Sequence, residues 1–526
     1  MRASVEFDPE KIDSIFRPLD RGHAPGATVG IALHGRPLYR RAFGLANMEL
    51  PIVLAPNMRM RIGSTSKHMT SLAYLLLCEQ GRASLDDRVG DYLPELHATA
   101  RSVTLRQLMA HVSGLRDAHE MAWQFSGTAA ISSQDLLALY QKIDTVNSEP
   151  GSAWSYNNGG YLILSAAIER ITGEALEDVL TERIFRPVGM LDTLLRRRDI
   201  DLVPNSATLH ATGPTGLFER ASFGTALAGE GGIVSTVDDM LRWLAHMDDP
   251  RIGSAETWAM LARPYQLPNG TLTGYGLGLI VHEYRGMATV SHGGGVVGGN
   301  SQMLKVPSAG LDIVIMLNRD DVSAPRLANQ VLNACIAGLP PAPQPSECPC
   351  AHGVFRSATT GRVIELFERD GQQIVSIDGY DWPFVAAAEG VLEPDPIWSY
   401  LKLRVLLYGG HQYPTSVEFE DFGHSDRLVR LEPPEERPRE IPAGTYSSAS
   451  AGLEAVIGVE GECITLLARS RFGSHTYALV PLASGLWRAR SLRAIPWDAI
   501  LSFAPDGREF HLSALRTRRL KFVRQR

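Results

Sequence analysis

A serine and a lysine three positions apart, Ser64 and Lys67, are the residues of this chain that most directly suggest chemistry. Apolar residues recur at helical spacing over residues 64–80 and Gly81 follows them, so the pattern predicts a helix that begins at the serine. Positions i and i+3 share one face of a helix, which puts the amine within hydrogen-bonding reach of the hydroxyl. A buried amine disfavours its charged form and can take the hydroxyl proton, which would make the serine a nucleophile.

The spacing alone is weak evidence, because about 5% of serines have a lysine three positions later at average composition. The chain contains a second such pair, Ser399 and Lys402, in residues 398–408, whose alternating pattern predicts a strand. Positions i and i+3 point to opposite faces of a strand, so this second pair is not expected to act together. For Ser64 and Lys67 taken alone, a structural coincidence is an equal alternative.

A second motif lies in residues 154–161, a polar, glycine-containing loop before the amphipathic stretch 162–171. It contains Tyr156 and Asn158. A phenol beside a serine–lysine pair can transfer protons, and an amide can orient a substrate carbonyl. The alternative is an ordinary turn with a packing tyrosine.

A third motif is His292 followed by three glycines, after a strand-like segment at 275–281. Gly294 and Gly295 would let a strand edge approach the backbone of a ligand, and the imidazole could donate to a bound group or titrate against it. A glycine-rich turn in a hairpin is the alternative. The three motifs together are much harder to explain by coincidence than any one of them.

With these motifs the chain resembles the serine beta-lactamase-related hydrolases, the group of class C beta-lactamases and D-alanyl-D-alanine carboxypeptidases. The resemblance extends over residues 26–335 and includes the segments 104–115, 185–190, 231–236 and 275–279. It implies a catalytic domain with an antiparallel sheet flanked by helices.

The resemblance also implies a role for each motif residue. Ser64 would be acylated, Lys67 would activate it, Tyr156 would deliver a proton to the leaving group, and Asn158 would orient the substrate amide. The backbone N–H groups of Ser64 and Gly295 would form the oxyanion hole.

His292 stands where many members of this group have a lysine. An imidazole with an ordinary pKa of about 6.5 is mostly neutral at pH 7, so it binds a substrate carboxylate less firmly than a lysine does. This argues against a strict carboxypeptidase and, to a lesser degree, against an efficient beta-lactamase.

Two proline-rich segments, 339–350 and 433–442, divide the chain. They predict a catalytic domain at 1–338 and two domains of short alternating strands at 351–432 and 443–526. Residues 353–357 recur as 444–448, a step of 91 residues, which indicates two copies of one unit. The predicted fold is therefore multidomain α+β, a beta-lactamase-like domain followed by two small antiparallel beta-barrels.

This arrangement resembles, more narrowly, the bacterial D-aminopeptidases, which remove an unblocked N-terminal D-residue from peptides, amides and esters. In that family a loop of the last barrel enters the active-site cleft and supplies an acid for the substrate ammonium. The matching segment here is residues 488–498, called the specificity loop below, in which an arginine stands where the acid is expected. A solvated basic hairpin is the alternative. The substrate-binding side chains implied in this loop are Arg488, Arg490, Arg493 and Asp498.

The sequence thus predicts a serine aminopeptidase that acts on D-Ala-like N-terminal residues through an acyl-enzyme. The alternatives are a broad-specificity serine esterase, a beta-lactamase-like or DD-peptidase-like hydrolase and, from another class, a catalytically idle binding protein. The substrate would be a small peptide, amide or ester. The resemblance implies inhibition by beta-lactams and allows a homodimer. No cofactor is expected, and no metal, because Cys348 and Cys350 have no matching second pair.

Composition excludes some partners. The net charge is -7 and no basic patch with interleaved aromatic residues occurs, so nucleic-acid binding is not expected. Residues 1–16 lack an apolar core of a secretory signal, and no 18-residue apolar span occurs. We therefore expect a cytoplasmic protein without a membrane segment.

Overall fold

The computed structural model describes residues 5–341, 349–432, 442–461, 463–491 and 496–525. Most of the two proline-rich segments, 342–348 and 433–441, and Arg493 in the specificity loop lie outside the described residues. The domain boundaries placed within those segments therefore stay predictions. No helix among the described residues is both long and apolar enough to cross a membrane.

The N-terminal part of the chain is built on a six-stranded antiparallel sheet. Alternate residues of its central strand serve two separate cores, Ile313 and Ile315 on one face and Val314 and Met316 on the other. This strand is buried on both faces, in keeping with a sequence that is apolar except for Asp312, which pairs with Lys305. In spatial order the strands are Ile280–Tyr284, Met287–Val296, Gly299–Val306, Leu311–Leu317, Ala27–Leu33 and Arg36–Phe43.

Helices cover both faces of this sheet. On one face, Pro9–Phe16 and Ala324–Cys335 pack in the same core as Ile313. On the other face, Val237–Asp248 and a larger helical region enclose the core that contains Val314. The helices of that region are Lys67–Glu79, Val89–Tyr92, Ala98–Arg101, Leu105–Met109, Ala118–Ser126, Ser133–Tyr140, Asn158–Thr172, Leu176–Leu180, Arg186–Val188 and Ala255–Ala262. Short strands between them are Leu45–Asn47, Ile52–Val53, Met60–Arg61, Leu194–Leu195, His210–Thr212, Phe218–Arg220 and Ile233–Ser235.

Two closed eight-stranded antiparallel barrels follow, so the predicted fold class is confirmed. The repeated segments 353–357 and 444–448 form the first strand of each barrel. The first barrel contains Gly353–Ser357, Val363–Arg369, Gln372–Ile377, Tyr380–Ala388, Val391–Pro394, Leu403–Tyr408, Ser416–Asp421 and His424–Leu431. The second contains Gly444–Ser448, Leu453–Glu460, Cys463–Arg469, Ser474–Ala483, Leu486–Arg490, Ala499–Phe503, Glu509–Ala514 and Thr517–Arg524.

The helix predicted at 64–80 is present but starts differently. Gly63–Ser66 forms a 3-10 turn that leads into the α-helix Lys67–Glu79, which is buried over most of its length. Gly81 follows with φ +68°, as expected for a residue that ends a helix in the left-handed conformation. We call Lys67–Glu79 the lysine helix.

The strand predicted at 398–408 is shorter than expected. Pro396–Trp398 forms a 3-10 turn, and the strand begins only at Leu403. Proline at the first position of the turn fixes its φ, and the Asp395 side chain accepts a hydrogen bond from Ile397 N at 3.1 Å, which together favour a turn over a strand. Ser399 and Lys402 therefore lie between the turn and the strand.

Candidate active site

Lys67 is fully buried and makes three short contacts through its amine. Nζ lies 3.0 Å from Ser64 Oγ, 2.8 Å from Asn158 Oδ1 and 2.6 Å from the Glu230 carbonyl oxygen. Two of these three partners, the amide oxygen and the carbonyl, can only accept hydrogen bonds. A neutral amine has two N–H donors for these acceptors and one lone pair, which then faces the serine hydroxyl. The contacts thus fit a neutral amine that can accept the Ser64 proton.

Burial is also the main influence on the protonation of this lysine. It lowers the pKa of Lys67 to about 7, against an opposing effect of Glu230 and with a further lowering by Arg516. At neutral pH a large fraction of this amine is therefore uncharged. The Nζ atom also lies 4.9 Å from the centre of the Tyr156 ring.

Tyr156 is held between the serine and the lysine. Burial raises the pKa of the Tyr156 phenol well above its ordinary value, although its hydrogen bond with Ser64 lowers it in part. The phenol therefore keeps its proton at neutral pH. It can pass a proton on, but it is a poor first acceptor of the Ser64 proton.

The loop that carries Tyr156 and Asn158 is fixed by Asp117, a fully buried carboxylate. Asp117 accepts hydrogen bonds from the backbone N–H of Asn158 at 3.0 Å and of Gly159 at 3.3 Å. These donors are the first N–H groups of the helix Asn158–Thr172, where a negative charge is stabilising. The carboxylate thereby fixes the position of the amide that contacts Lys67.

His292 lies on Met287–Val296 and uses both ring nitrogens within the protein. Nδ1 is 2.6 Å from the Gly293 carbonyl oxygen, which can only accept, so Nδ1 carries the proton. Nε2 then accepts from the Tyr275 hydroxyl at 2.9 Å. Burial, with a smaller contribution from Lys67, lowers the pKa of His292 to about 3. The imidazole is neutral at pH 7 and supplies no cation for a substrate carboxylate.

The glycines after His292 allow two backbones to approach closely. A Cβ at Gly294 would lie 1.8 Å from the Ile62 carbonyl oxygen, and one at Gly63 would lie 2.8 Å from Gly295 N. The neighbouring strand Ile280–Tyr284 pairs with residues 287–291, and beyond residue 291 no described residue pairs with this strand on that side. The backbone of Gly295 therefore lies beside the start of the serine turn, at an unpaired strand edge.

Residues 12–336 match the family model described as Beta-lactamase. This chain belongs to the beta-lactamase family. The family resemblance that the three motifs carried is confirmed. Among curated relatives, the D-aminopeptidase of Brucella canis is 30% identical over 362 residues, an alignment that spans 66% of this chain and 66% of the relative. The D-aminopeptidase of Cereibacter sphaeroides is 31% identical over 336 residues, 62% of this chain and 63% of the relative.

The chain thus aligns with slightly less than two thirds of the length of these D-aminopeptidases. Among solved structures, the octameric penicillin-binding protein homologue from Pyrococcus abyssi has a TM-score of 0.56 and 18% identity, and covers 98% of this chain and 100% of its own. The D-amino acid amidase from Ochrobactrum anthropi SV3 has a TM-score of 0.54 and 22% identity, and covers 62% of this chain and 98% of its own. At these identities the likeness shows the fold alone.

In this beta-lactamase family member, a cavity of about 750 Å³ contains Ser64 in its wall. Tyr156, Asn158, His292, Gly294 and Gly295 line the same cavity, so the structure brings together these predicted site residues. Both barrels complete the wall. The first contributes aromatic side chains, Tyr380, Trp382, Trp398 and Tyr400, and the second contributes Trp497, Arg516 and Arg518.

In the described part of the specificity loop, three of the predicted side chains, Arg488, Arg490 and Asp498, do not line the cavity that contains Ser64. Arg488 pairs with Asp498 at 2.7 Å, with Asp381 at 2.8 Å and with Glu365 at 3.1 Å, and so joins the two barrels. Arg488, Arg490 and Asp498 line a second, separate cavity and are absent from the wall that contains Ser64. A guanidinium with three carboxylate partners is satisfied within the barrels, which is the physical reason for this placement. Of the described part of the loop, Trp497 reaches the cavity.

Sequence reasoning missed a cluster of buried charges beneath the site. His119 lies 3.7 Å from Asp117 and 3.2 Å from Glu230. Burial alone would lower the pKa of His119, but the two carboxylates outweigh it and raise the value to about 9. A signal did exist, since residues 117–120 contain three ionisable side chains directly before the largely apolar residues 121–125. Arg516, by contrast, gave no signal, because it comes from a hairpin 399 residues from its partner Asp117.

Proposed function

We propose that this protein is a D-stereospecific serine aminopeptidase that cleaves an unblocked N-terminal D-residue from peptides, amides or esters through an acyl-enzyme. The observation that carries the serine chemistry is the buried Lys67 amine, 3.0 Å from Ser64 Oγ and with its pKa lowered to about 7. The two D-aminopeptidases with 30–31% identity support the substrate class. The enzyme would remain open to inhibition by beta-lactams, and a homodimer stays a prediction.

In the proposed acylation, neutral Lys67 takes the Ser64 proton while Oγ forms a bond to the substrate carbonyl carbon. The negative charge that develops on the carbonyl oxygen is stabilised by the backbone N–H groups of Ser64 and Gly295. Tyr156 then gives its proton to the leaving amine or alkoxide and regains one from Lys67 as the carbon–leaving-group bond breaks. Water repeats the sequence on the acyl-enzyme and releases the acid. Asn158 holds the lysine and faces the cavity, where it can orient the substrate amide.

A second candidate is a serine esterase or another hydrolase of this family with broad specificity. The observation that favours it is the placement of Asp498, the nearest acid in the specificity loop, in an ion pair with Arg488 away from Ser64. An aminopeptidase needs an acid for the substrate ammonium, and this loop does not provide Asp498 for that purpose.

Substrate assays separate the two candidates. We expect D-alanine p-nitroanilide to be hydrolysed and its N-acetylated counterpart to react at least about tenfold more slowly, because a lost charge-assisted contact is worth about 1.5–3 kcal/mol. The L counterpart, whose amine would point away from that contact, should also react more slowly. The measurement is kcat/KM for the three compounds under one set of conditions. Equal turnover of free and N-acetylated substrates, or faster turnover of simple acyl esters, would select the broad esterase instead.

The pH dependence of acylation tests the role of Lys67. Because Lys67 must be neutral to accept the Ser64 proton, and its pKa is lowered to about 7, activity is present above pH 7 and lost as the pH falls through 7. We expect kcat/KM to fall about tenfold per pH unit below that value. The substrate should be a nitrophenyl ester without an amino group. A free α-amine titrates at about pH 8 and would mask the fall in kcat/KM that the titration of Lys67 causes. A profile that is flat down to about pH 5 would argue against Lys67 as the base.

A further inference from the structure

Arg516 enters the cavity from the second barrel. It lies in the hairpin between Glu509–Ala514 and Thr517–Arg524, and both it and the preceding residue line the cavity that contains Ser64. Its backbone N–H points to both carboxylate oxygens of Glu120, at 3.0 and 2.9 Å, which fixes the hairpin on the helix Ala118–Ser126. The position of this arginine is therefore set by the docking of the barrel.

The guanidinium of Arg516 is only partly satisfied by the protein. Nη1 lies 3.4 Å from Asp117 Oδ2, while Nε is buried without an acceptor, and Nη2 has none among the described residues. The Cζ atom of the guanidinium lies 5.0 Å from the centre of the Tyr156 ring and 5.0 Å from that of the Trp497 ring. A buried N–H donor without an acceptor costs free energy. A ligand oxygen that reached Nε and Nη2 of Arg516 would therefore be bound favourably.

Other basic groups line the cavity, but their contacts differ from those of Arg516. His292 is neutral and has protein partners on both ring nitrogens. Arg362 and Arg518, which also line the cavity, share the Asp421 carboxylate at 2.9 and 3.5 Å, whereas Arg516 lies over the ring of Tyr156, the phenol beside Ser64. Arg516 is thus placed to bind an anion beside Tyr156, as a lysine at position 292 could, but from another domain.

We propose that Arg516 binds a carboxylate of the substrate through Nε and Nη2, with a small rotation of the guanidinium. The matching geometry of the fork and a carboxylate, two parallel N–H···O bonds, favours this anion over a neutral amide. The inference rests on the proposed serine hydrolase function and adds a substrate class to it. The carboxylate belongs either to an acidic side chain of the N-terminal D-residue or to the C-terminus of a short peptide.

Two matched pairs of substrates distinguish these sources. The first pair is the p-nitroanilides of D-aspartate and D-asparagine, and the second is D-alanyl-D-alanine and its C-terminal amide. We expect the charged member of one pair to have a kcat/KM at least about tenfold above its neutral partner, as charge-assisted hydrogen bonds of about 1.5–3 kcal/mol imply. A wild-type enzyme that prefers the neutral member of both pairs, or shows no preference in either, overturns the proposal.

Variants then test whether Arg516 is responsible. Arg516→Gln should bring the charged-to-neutral ratio close to one, and Arg516→Lys, which keeps the charge without the fork, should leave an intermediate ratio. Arg519→Gln is the control, because Arg519 is exposed on the same hairpin and does not line the cavity. The ratio is measured within each variant, so a general loss of activity cancels. An unchanged ratio in both Arg516 variants overturns the proposal, and continued turnover of neutral substrates would leave the serine hydrolase function intact.

Discussion

We expect Ser64→Ala to lower kcat/KM by at least about 10⁴-fold, because removal of a nucleophile leaves only binding and oxyanion stabilisation. The lysine amine would then have no hydroxyl proton to accept, and no acyl-enzyme could form. The measurement combines steady-state rates with intact-mass spectrometry of enzyme mixed with a beta-lactam. The wild type should gain the mass of the acyl group, and the variant should not.

Folding must be separated from chemistry in this test. The Ser64 side chain lines the cavity and is only partly buried, so its truncation should leave the unfolding transition within about 1 kcal/mol of the wild type. Ser399→Ala is the matched control, since Ser399 also has a lysine three positions later but lies in a loop of the first barrel. A Ser64→Ala enzyme with wild-type rates, or a Ser399→Ala enzyme without activity, would refute the assignment of the nucleophile.

Local patterns in the sequence were enough to predict the lysine helix and both barrels. The pairing of Ser64 with Lys67 depends on one helical turn, and the recurrence of segment 353–357 at 444–448 depends on a tandem repeat, so neither requires knowledge of distant contacts. The structure adds a 3-10 turn at the serine, which the apolar spacing of a helix does not reveal.

Contacts between domains were not predictable in the same way. The sequence predicts Arg488 to be a positively charged loop residue, yet its carboxylate partners Glu365 and Asp381 belong to the other barrel. In the sequence Arg516 has only the pattern of a turn residue. In the structure both of its partners belong to the beta-lactamase-like domain: Asn147 Nδ2 donates to its carbonyl oxygen at 2.7 Å, and its side chain contacts Asp117. Such pairs form only when folded domains dock, and no spacing rule within one segment encodes them.

The docking makes the second barrel part of the site. The hydroxyl of Tyr477, a barrel residue, donates to the Gln124 carbonyl oxygen at 2.9 Å, and Gln124 Nε2 donates to the Trp497 carbonyl oxygen at 3.1 Å. These contacts lie on the helix Ala118–Ser126, about two turns away from the Asp117 carboxylate that fixes the Tyr156 loop. A change in barrel docking would therefore reach the catalytic groups through Asp117 and Arg516.

The largest effect on stability is expected from Asp117→Ala. This carboxylate is fully buried, and burial, which would raise its pKa, is outweighed by His119, Arg516 and the N–H of Asn158, which hold the pKa well below its ordinary value. Truncation removes the acceptor of the Asn158 and Gly159 N–H groups. It also removes one of the carboxylates that face the positive charges of His119 and Arg516. Breaking a buried ion pair in this way costs about 3–5 kcal/mol.

The measurement is the free energy of unfolding, from urea titrations that monitor the unfolding transition of the beta-lactamase-like domain. Asp135→Ala is the matched control, because Asp135 also lies at a helix start and pairs with an arginine of the second barrel but is partly exposed, so it should cost about 1 kcal/mol or less. Asp117→Asn, which keeps one accepting oxygen without the charge, should fall between the two. Activity should be lowest in Asp117→Ala, intermediate in Asp117→Asn and highest in Asp135→Ala, since the Asp117 carboxylate holds the loop that carries Tyr156 and Asn158 in place. If Asp117→Ala were as stable as Asp135→Ala, the buried cluster would not be what holds that loop beside Lys67.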